Sequence, residues 1–194
     1  MYDHDCGMEI SSPDKCVNIP IELYESVKGQ YFMGYADELH FGNGAGAWAR
    51  LYNPKSSGVI LFVNVWTVTD ISDSSFRAQF WFNATPPGIP IQSKLVTPTN
   101  TAIRPAPVPK VKLQFASNVH GEPTGGSKAF VRQGEPATTL VETESGKLIF
   151  PPGGNLLVFL SNTEGQGAVS GRVAFGWWEK IIPMGDMDCH HIRF

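Results

Sequence analysis

Apolar and polar residues alternate along most of this chain with a period of two, the signature of strands with one buried face. Phe76, Ala78, Phe80 and Phe82 share one side of a segment whose other side carries Arg77, Gln79 and Trp81. The same alternation or an unbroken apolar run predicts strands over 31–36, 45–52, 58–69, 75–83, 110–116, 128–132, 138–142, 147–150, 155–161 and 170–180. Asn53-Pro54, Pro86-Pro87-Gly88 and Pro151-Pro152-Gly153-Gly154 punctuate them as turns. No long helical periodicity competes. About ten short strands with such turns imply a β-sandwich or barrel. Trp48, Phe62, Trp66, Phe80, Phe82, Phe115, Phe150, Phe159, Phe175 and Trp177 sit at strand spacing and are expected to form its core. Between 85 and 109 prolines block regular pairing, so this stretch reads as a covering loop with a short strand near 93–96.

The first 28 residues read differently. Val17, Ile19, Ile21 and Leu23 fall on one side if the segment is extended, while Pro20 restricts it to an edge position. This predicts an extended N-terminal arm (residues 1–28) ahead of a single sandwich (29–183) and a short C-terminal tail (184–194). The competing reading is a short helix from Ile21 to Val27, since proline suits a first helical turn.

Composition agrees with a β-protein and narrows the function. The 194 residues include 20 glycines and 15 prolines, and the length suits one domain with a real core. Charged residues make up only 17%, with a net charge of −3, so there is no basic face for nucleic acid. No apolar run approaches the roughly 20 residues of a membrane span. The start, Met1-Tyr2-Asp3-His4-Asp5-Cys6, lacks the pattern of a secretory signal, so a surface location is expected to be reached by another route.

The chemistry-bearing residues gather at the ends. Cys6, Cys16 and Cys189 lie among polar residues, and an odd count allows bridges between chains or free thiols. Asp3-His4-Asp5-Cys6 and Asp186-Met187-Asp188-Cys189-His190-His191 share ligand types for zinc or copper, with His4, Cys6, Cys189, His190 and His191 as the candidates. Their spacing matches no standard metal finger, and no metal or cofactor is expected. There is no Gly-x-Ser-x-Gly elbow, and Gly42-Asn43-Gly44-Ala45-Gly46 leads into a strand rather than a helix. His40 and His120 are expected in loops, too few for a cupin-type metal site. An enzyme is not expected.

Four segments carry a resemblance. These are Gly44-Ala45-Gly46-Ala47-Trp48-Ala49-Arg50-Leu51-Tyr52-Asn53-Pro54, Phe76-Arg77-Ala78-Gln79-Phe80-Trp81-Phe82-Asn83, Lys147-Leu148-Ile149-Phe150-Pro151-Pro152-Gly153-Gly154 and Arg172-Val173-Ala174-Phe175-Gly176-Trp177-Trp178-Glu179. Over residues 30–180 the chain resembles a bacterial family of uncharacterised β-domain proteins found largely in spore-forming anaerobes. That resemblance implies a compact β-domain and supplies no catalytic residues. In layout the chain also resembles endospore appendage subunits, which build pilus-like fibres. There a jelly-roll body carries a cysteine-bearing arm that enters neighbouring subunits and is locked by disulfides. This arm lacks the adjacent cysteine pair often seen in them, so no bonding pattern carries over.

The sequence therefore predicts an all-β, jelly-roll-like sandwich of about 8–10 strands. Its expected partner is itself, in a head-to-tail homopolymer at an extracellular or spore surface. The arm would add as a strand to the next copy through Val17, Ile19, Ile21 and Leu23. The alternative is a soluble jelly-roll module that binds carbohydrate, with Trp81 and Trp178 directed away from the core to serve as platforms.

Overall fold

The computed structural model describes residues 18–162 and 167–183. A short helix, α1 (Ile21–Val27), precedes eleven strands. They are β1 (Tyr31–Gly42), β2 (Gly46–Tyr52), β3 (Val59–Asp70), β4 (Phe76–Phe82), β5 (Ile91–Gln92), β6 (Val96–Pro98), β7 (Lys112–Val119), β8 (Ser127–Gly134), β9 (Thr139–Phe150), β10 (Asn155–Asn162) and β11 (Ala168–Ile181). Two antiparallel sheets form, in the orders β6-β1-β11-β3-β9 and β5-β7-β2-β10-β4-β8. If β5, β6 and β7 are set aside, β1-β11-β3-β9 faces β2-β10-β4-β8. Successive strands then cross between sheets and the last lies beside the first, which is jelly-roll topology.

The core lies between the sheets. Phe32, Leu61, Trp66, Phe80, Leu156, Val158, Phe175 and Trp177 meet there, with the rings of Trp66 and Phe80 4.3 Å apart. Three aromatics expected in this core are elsewhere. Trp48 and Phe159 lie on the outer face of the second sheet in a separate cluster with Ala116, Val119 and Leu157. The proline-rich segment meets that cluster at Trp48, whose indole N–H donates to the Pro87 carbonyl at 2.7 Å, and at Val119, which lies against Gly88. Phe62 points out of the first sheet and stacks on Trp178 at 5.5 Å. The core expectation for these three is corrected: each lies on an outer face that is covered locally, and in β3 a register irregularity near Asn64 puts Phe62 and Trp66 on opposite faces.

The two segments read as strands 138–142 and 147–150 are one strand, β9, broken in register against β3. Ser145 and Gly146 take positive φ at the break (50° and 76°). There Glu144 turns inward to accept the Trp66 indole N–H at 3.1 Å. His40, expected in a loop, lies in β1 opposite Ser170 of β11, and its Nδ1 is 2.7 Å from the Ser170 hydroxyl. No described helix is long and apolar enough to cross a membrane.

Candidate assembly surface

The described part of the expected arm is helical where the extended reading needed a strand. Pro20 ends the non-helical lead with φ −58° and ψ 146°, and its carbonyl accepts the Tyr24 N–H at 3.1 Å to open α1. Ile21 and Leu23 therefore lie on a helix, and the extended conformation is corrected for them. Ile19 lies just ahead of it and is exposed. Val17, Cys6, Cys16, Cys189, His4, His190 and His191 fall outside the described residues. So do the expected disulfides and metal clip. Among the described residues no three His, Cys, Asp or Glu side chains converge as a metal site.

The orientation of α1 is inverted. A helix packed on a monomeric domain turns its apolar stripe inward. Here Glu22, Glu25, Ser26 and Gly29, spaced i, i+3, i+4 and i+7, face the body. Glu25 is 5% exposed, whereas Leu23 is 50% and Val27 60% exposed, with Ile21 and Tyr24 open beside them. The inner contacts are polar or small. Ser26 Oγ lies 2.8 Å from Thr99 Oγ1, and the Asn100 amide donates to the Val27 carbonyl at 3.3 Å. Gly29 has a positive φ of 73°, and a Cβ there would come within 2.8 Å of Ile103 and 2.9 Å of Pro107. Only glycine allows the helix to end this close to the proline-rich segment.

Glu179 of β11 fixes that platform. Its carboxylate accepts the backbone N–H groups of Lys110 (2.8 Å) and Val111 (3.0 Å) and the Trp177 indole N–H (3.1 Å). Its own N–H donates to the Gln30 carbonyl at 3.0 Å, tying down the chain just past α1. Burial pushes the Glu179 carboxyl above its ordinary value, against the pull of these donors and of Lys110.

A second feature lies on the outer face of the first sheet. Met33 and Tyr35 of β1, Val65 of β3 and the chain at Leu95 and Val96 wall a depression of about 480 Å³ floored by Ala174 and Gly176. Its lining is almost wholly apolar. The floor is low because its residues are small. A Cβ on Gly176 would come within 2.6 Å of the Tyr31 hydroxyl and 2.8 Å of Val65. At the rim, Arg172 grips Asp37 through two hydrogen bonds (2.8 and 3.0 Å) with its guanidinium beside the Tyr35 ring. Those bonds hold the Asp37 carboxyl below its usual value. The volume falls in the range of about 300–1,000 Å³ typical of ligand pockets.

The two expected carbohydrate platforms fare differently. Trp178 does point away from the core, but it is buried. Tyr31 and Phe62 stack against it, and Gly146 closes over its edge so tightly that a Cβ would fall 2.2 Å from the ring. It is not an open platform. Trp81 is half-buried beside the outer cluster of the second sheet, with the Lys128 ammonium 4.7 Å from its ring centroid. Sequence reading missed Tyr24, Val27 and the depression. The helical spacing of Glu22, Glu25, Ser26 and Gly29 was the available signal for the first two. The depression depends on cross-strand register, which no local pattern records.

A family model covers residues 9–184, and the chain belongs to that family, a family of unknown function (DUF6143). No curated protein and no solved structure matches the chain.

Proposed function

We propose that the chain is a structural subunit that assembles with copies of itself, head to tail, through its N-terminal segment. The product is a filament outside the cell or on a spore surface. One observation carries this reading: α1 buries its acid and turns Ile21, Leu23, Tyr24 and Val27 to solvent. In an isolated molecule that arrangement is unfavourable on both counts. A neighbouring copy that covers the exposed stripe removes the conflict.

The helix is proposed to enter the apolar depression on the first sheet of the next copy, a helix-in-groove contact. Donor and acceptor are different patches, so each added copy leaves one of each unfilled and growth continues unless the ring closes. Full burial of such side chains is worth roughly 1.5–3 kcal/mol each. These four are already about half covered, so together they contribute roughly 3–6 kcal/mol. The loss of free motion on association opposes this with about 4 kcal/mol or more. The helix face therefore specifies the contact without securing it. Residues 1–17 are proposed to extend the contact, and inter-subunit disulfides from Cys6, Cys16 or Cys189 to lock it, each worth about 2–4 kcal/mol where chain entropy governs. The surface location rests on the likeness of layout to endospore appendage subunits.

The test uses side chains that are already exposed, so folding is spared. Leu23→Glu with Val27→Glu is expected to leave the melting temperature within the small range of surface substitutions. It should abolish higher-order species in light scattering coupled to size exclusion, and fibres in negative-stain micrographs. Fibres that persist in the double variant would overturn the role of α1. A closed dimer in the wild type would overturn head-to-tail growth. Gels run with and without reductant test the bridges, which are refuted if the ladder is the same in both.

A further inference from the structure

The outer face of the second sheet holds a cation with no acidic partner among the described residues. Arg50 of β2 points outward beside Gln114 of β7, its cross-strand partner, and Gln92 of β5 is next in the same row. Arg50 Nε and Nη2 both donate to Gln114 Oε1, at 3.0 and 2.8 Å. Its guanidinium carbon sits 4.8 Å from the Tyr52 ring centroid and 5.6 Å from that of Trp48. Among the described residues the ion pairs are Lys128–Glu122, Lys147–Glu144 and Arg172–Asp37, so neither Arg50 nor its neighbour Lys112 meets a carboxylate. Lys112 lies opposite Tyr52, one outward row along the sheet. A half-buried guanidinium is ordinarily compensated by an acid. Here burial lowers the Arg50 pKa, opposed by the neighbouring Tyr52 hydroxyl and by no carboxylate of a described residue. Its Nη1 makes no hydrogen bond to a described residue and is not sealed from solvent.

We infer that this row binds an acidic carbohydrate: a sugar carboxylate pairs with the free edge of Arg50, and the sugar hydroxyls meet the amides of Gln92 and Gln114. The class follows from the groups present. A guanidinium held rigidly by one amide and two rings presents a pre-set fork for a planar carboxylate. The two amides offer both donors and acceptors, which suits hydroxyls and does nothing for a bare anion. Tyr52 adds a half-exposed ring for the apolar face of a sugar. The site is a row on an open sheet rather than a pocket, so it fits an extended chain. Lys112 then meets the acid of a neighbouring unit. The row is on the sheet opposite the apolar depression, so binding and assembly are separable.

The experiment titrates the full chain with an oligogalacturonate by calorimetry. Its methyl-esterified form and inorganic phosphate serve as the other arms. Binding of the acid form is expected, with no measurable heat from the ester. Arg50→Met keeps the packing stem and removes the charge, and should weaken binding about ten-fold or more. Lys112→Ala is exposed and should weaken it by a smaller factor and flatten its salt dependence. Thermal melting of Arg50→Met separates a lost site from a lost fold, and Lys112→Ala gives the readout if Arg50→Met does not fold. Equal binding of ester and acid, or unchanged affinity in Arg50→Met, would overturn the site. Phosphate binding as tight as the oligomer would overturn the sugar class.

Discussion

Glu179→Ala is expected to destabilise the domain by about 3 kcal/mol, and Glu179→Gln by less, since its amide nitrogen faces one donor in place of three being stranded. The alanine variant strands three donors at once, the N–H groups of Lys110 and Val111 and the Trp177 indole; Val111 and Trp177 are almost fully buried, while Lys110 is exposed. Each unsatisfied buried donor costs about 1–3 kcal/mol, partly relieved by water reaching the Lys110 side. Glutamine keeps one carbonyl oxygen and the volume, and so imitates the protonated acid. The pH dependence follows from the direction of the shift. Burial raises the folded-state pKa of Glu179 above its unfolded value. The stability linked to this group is then fully present below the unfolded value, near pH 4.5, and is lost as pH rises through the folded value. Wild type should lose stability relative to Glu179→Gln across that interval. Urea melts of the three proteins at several pH values measure this. A gap between wild type and Gln that widens in favour of wild type as pH rises would contradict it. Because Glu179 also anchors the end of the proline-rich platform, the alanine variant should loosen α1, seen as faster amide exchange at 24–30.

Gly146→Ala is expected to be nearly as damaging, through geometry alone. The residue has φ 76°, where an L side chain is strained by about 1 kcal/mol or more. The added Cβ would lie 2.2 Å from Trp178 Cη2. That indole has nowhere to retreat, since Tyr31 stacks at 6.3 Å and Phe62 at 5.5 Å. Strain and displacement together should cost about 3 kcal/mol, or a fall in Tm of roughly 6–12 °C for a domain this size. Trp178→Leu in the same background should recover part of the loss by vacating the clash. No recovery would show that backbone strain alone sets the cost.

The jelly roll was legible because β4, β3 and β11 write their faces into the sequence. Phe76, Ala78 and Phe80 alternate inward as read, and Pro151-Pro152-Gly153-Gly154 turns the chain between β9 and β10 as expected. What escaped was whatever depends on a second element. Trp48 and Phe159 were assigned to the core because they are large and apolar, yet they are buried in a separate outer cluster, where the proline-rich segment meets Trp48. The covering role of that segment was readable from its prolines, but not what it covers. In the N-terminal segment the extended reading gave way to its competitor, the helix from Ile21 to Val27 opened by Pro20. Alternation at Val17, Ile19, Ile21 and Leu23 favoured a strand, while Pro20 suited a first helical turn, and the local pattern did not decide between them. Arg50 drew no notice because an isolated arginine on a strand is ordinary. The register sets it beside Gln114 and Gln92, with no carboxylate partner among the described residues.

The proposed role stands on what covers the apolar stripe of α1. A photo-reactive residue at position 23, in assemblies mixed from light and heavy isotope-labelled copies, measures this directly. The account predicts cross-linked peptides of mixed mass, joining residue 23 of one copy to the Met33–Tyr35 or Leu95–Val96 region of another. Cross-links confined to peptides of a single label would contradict it.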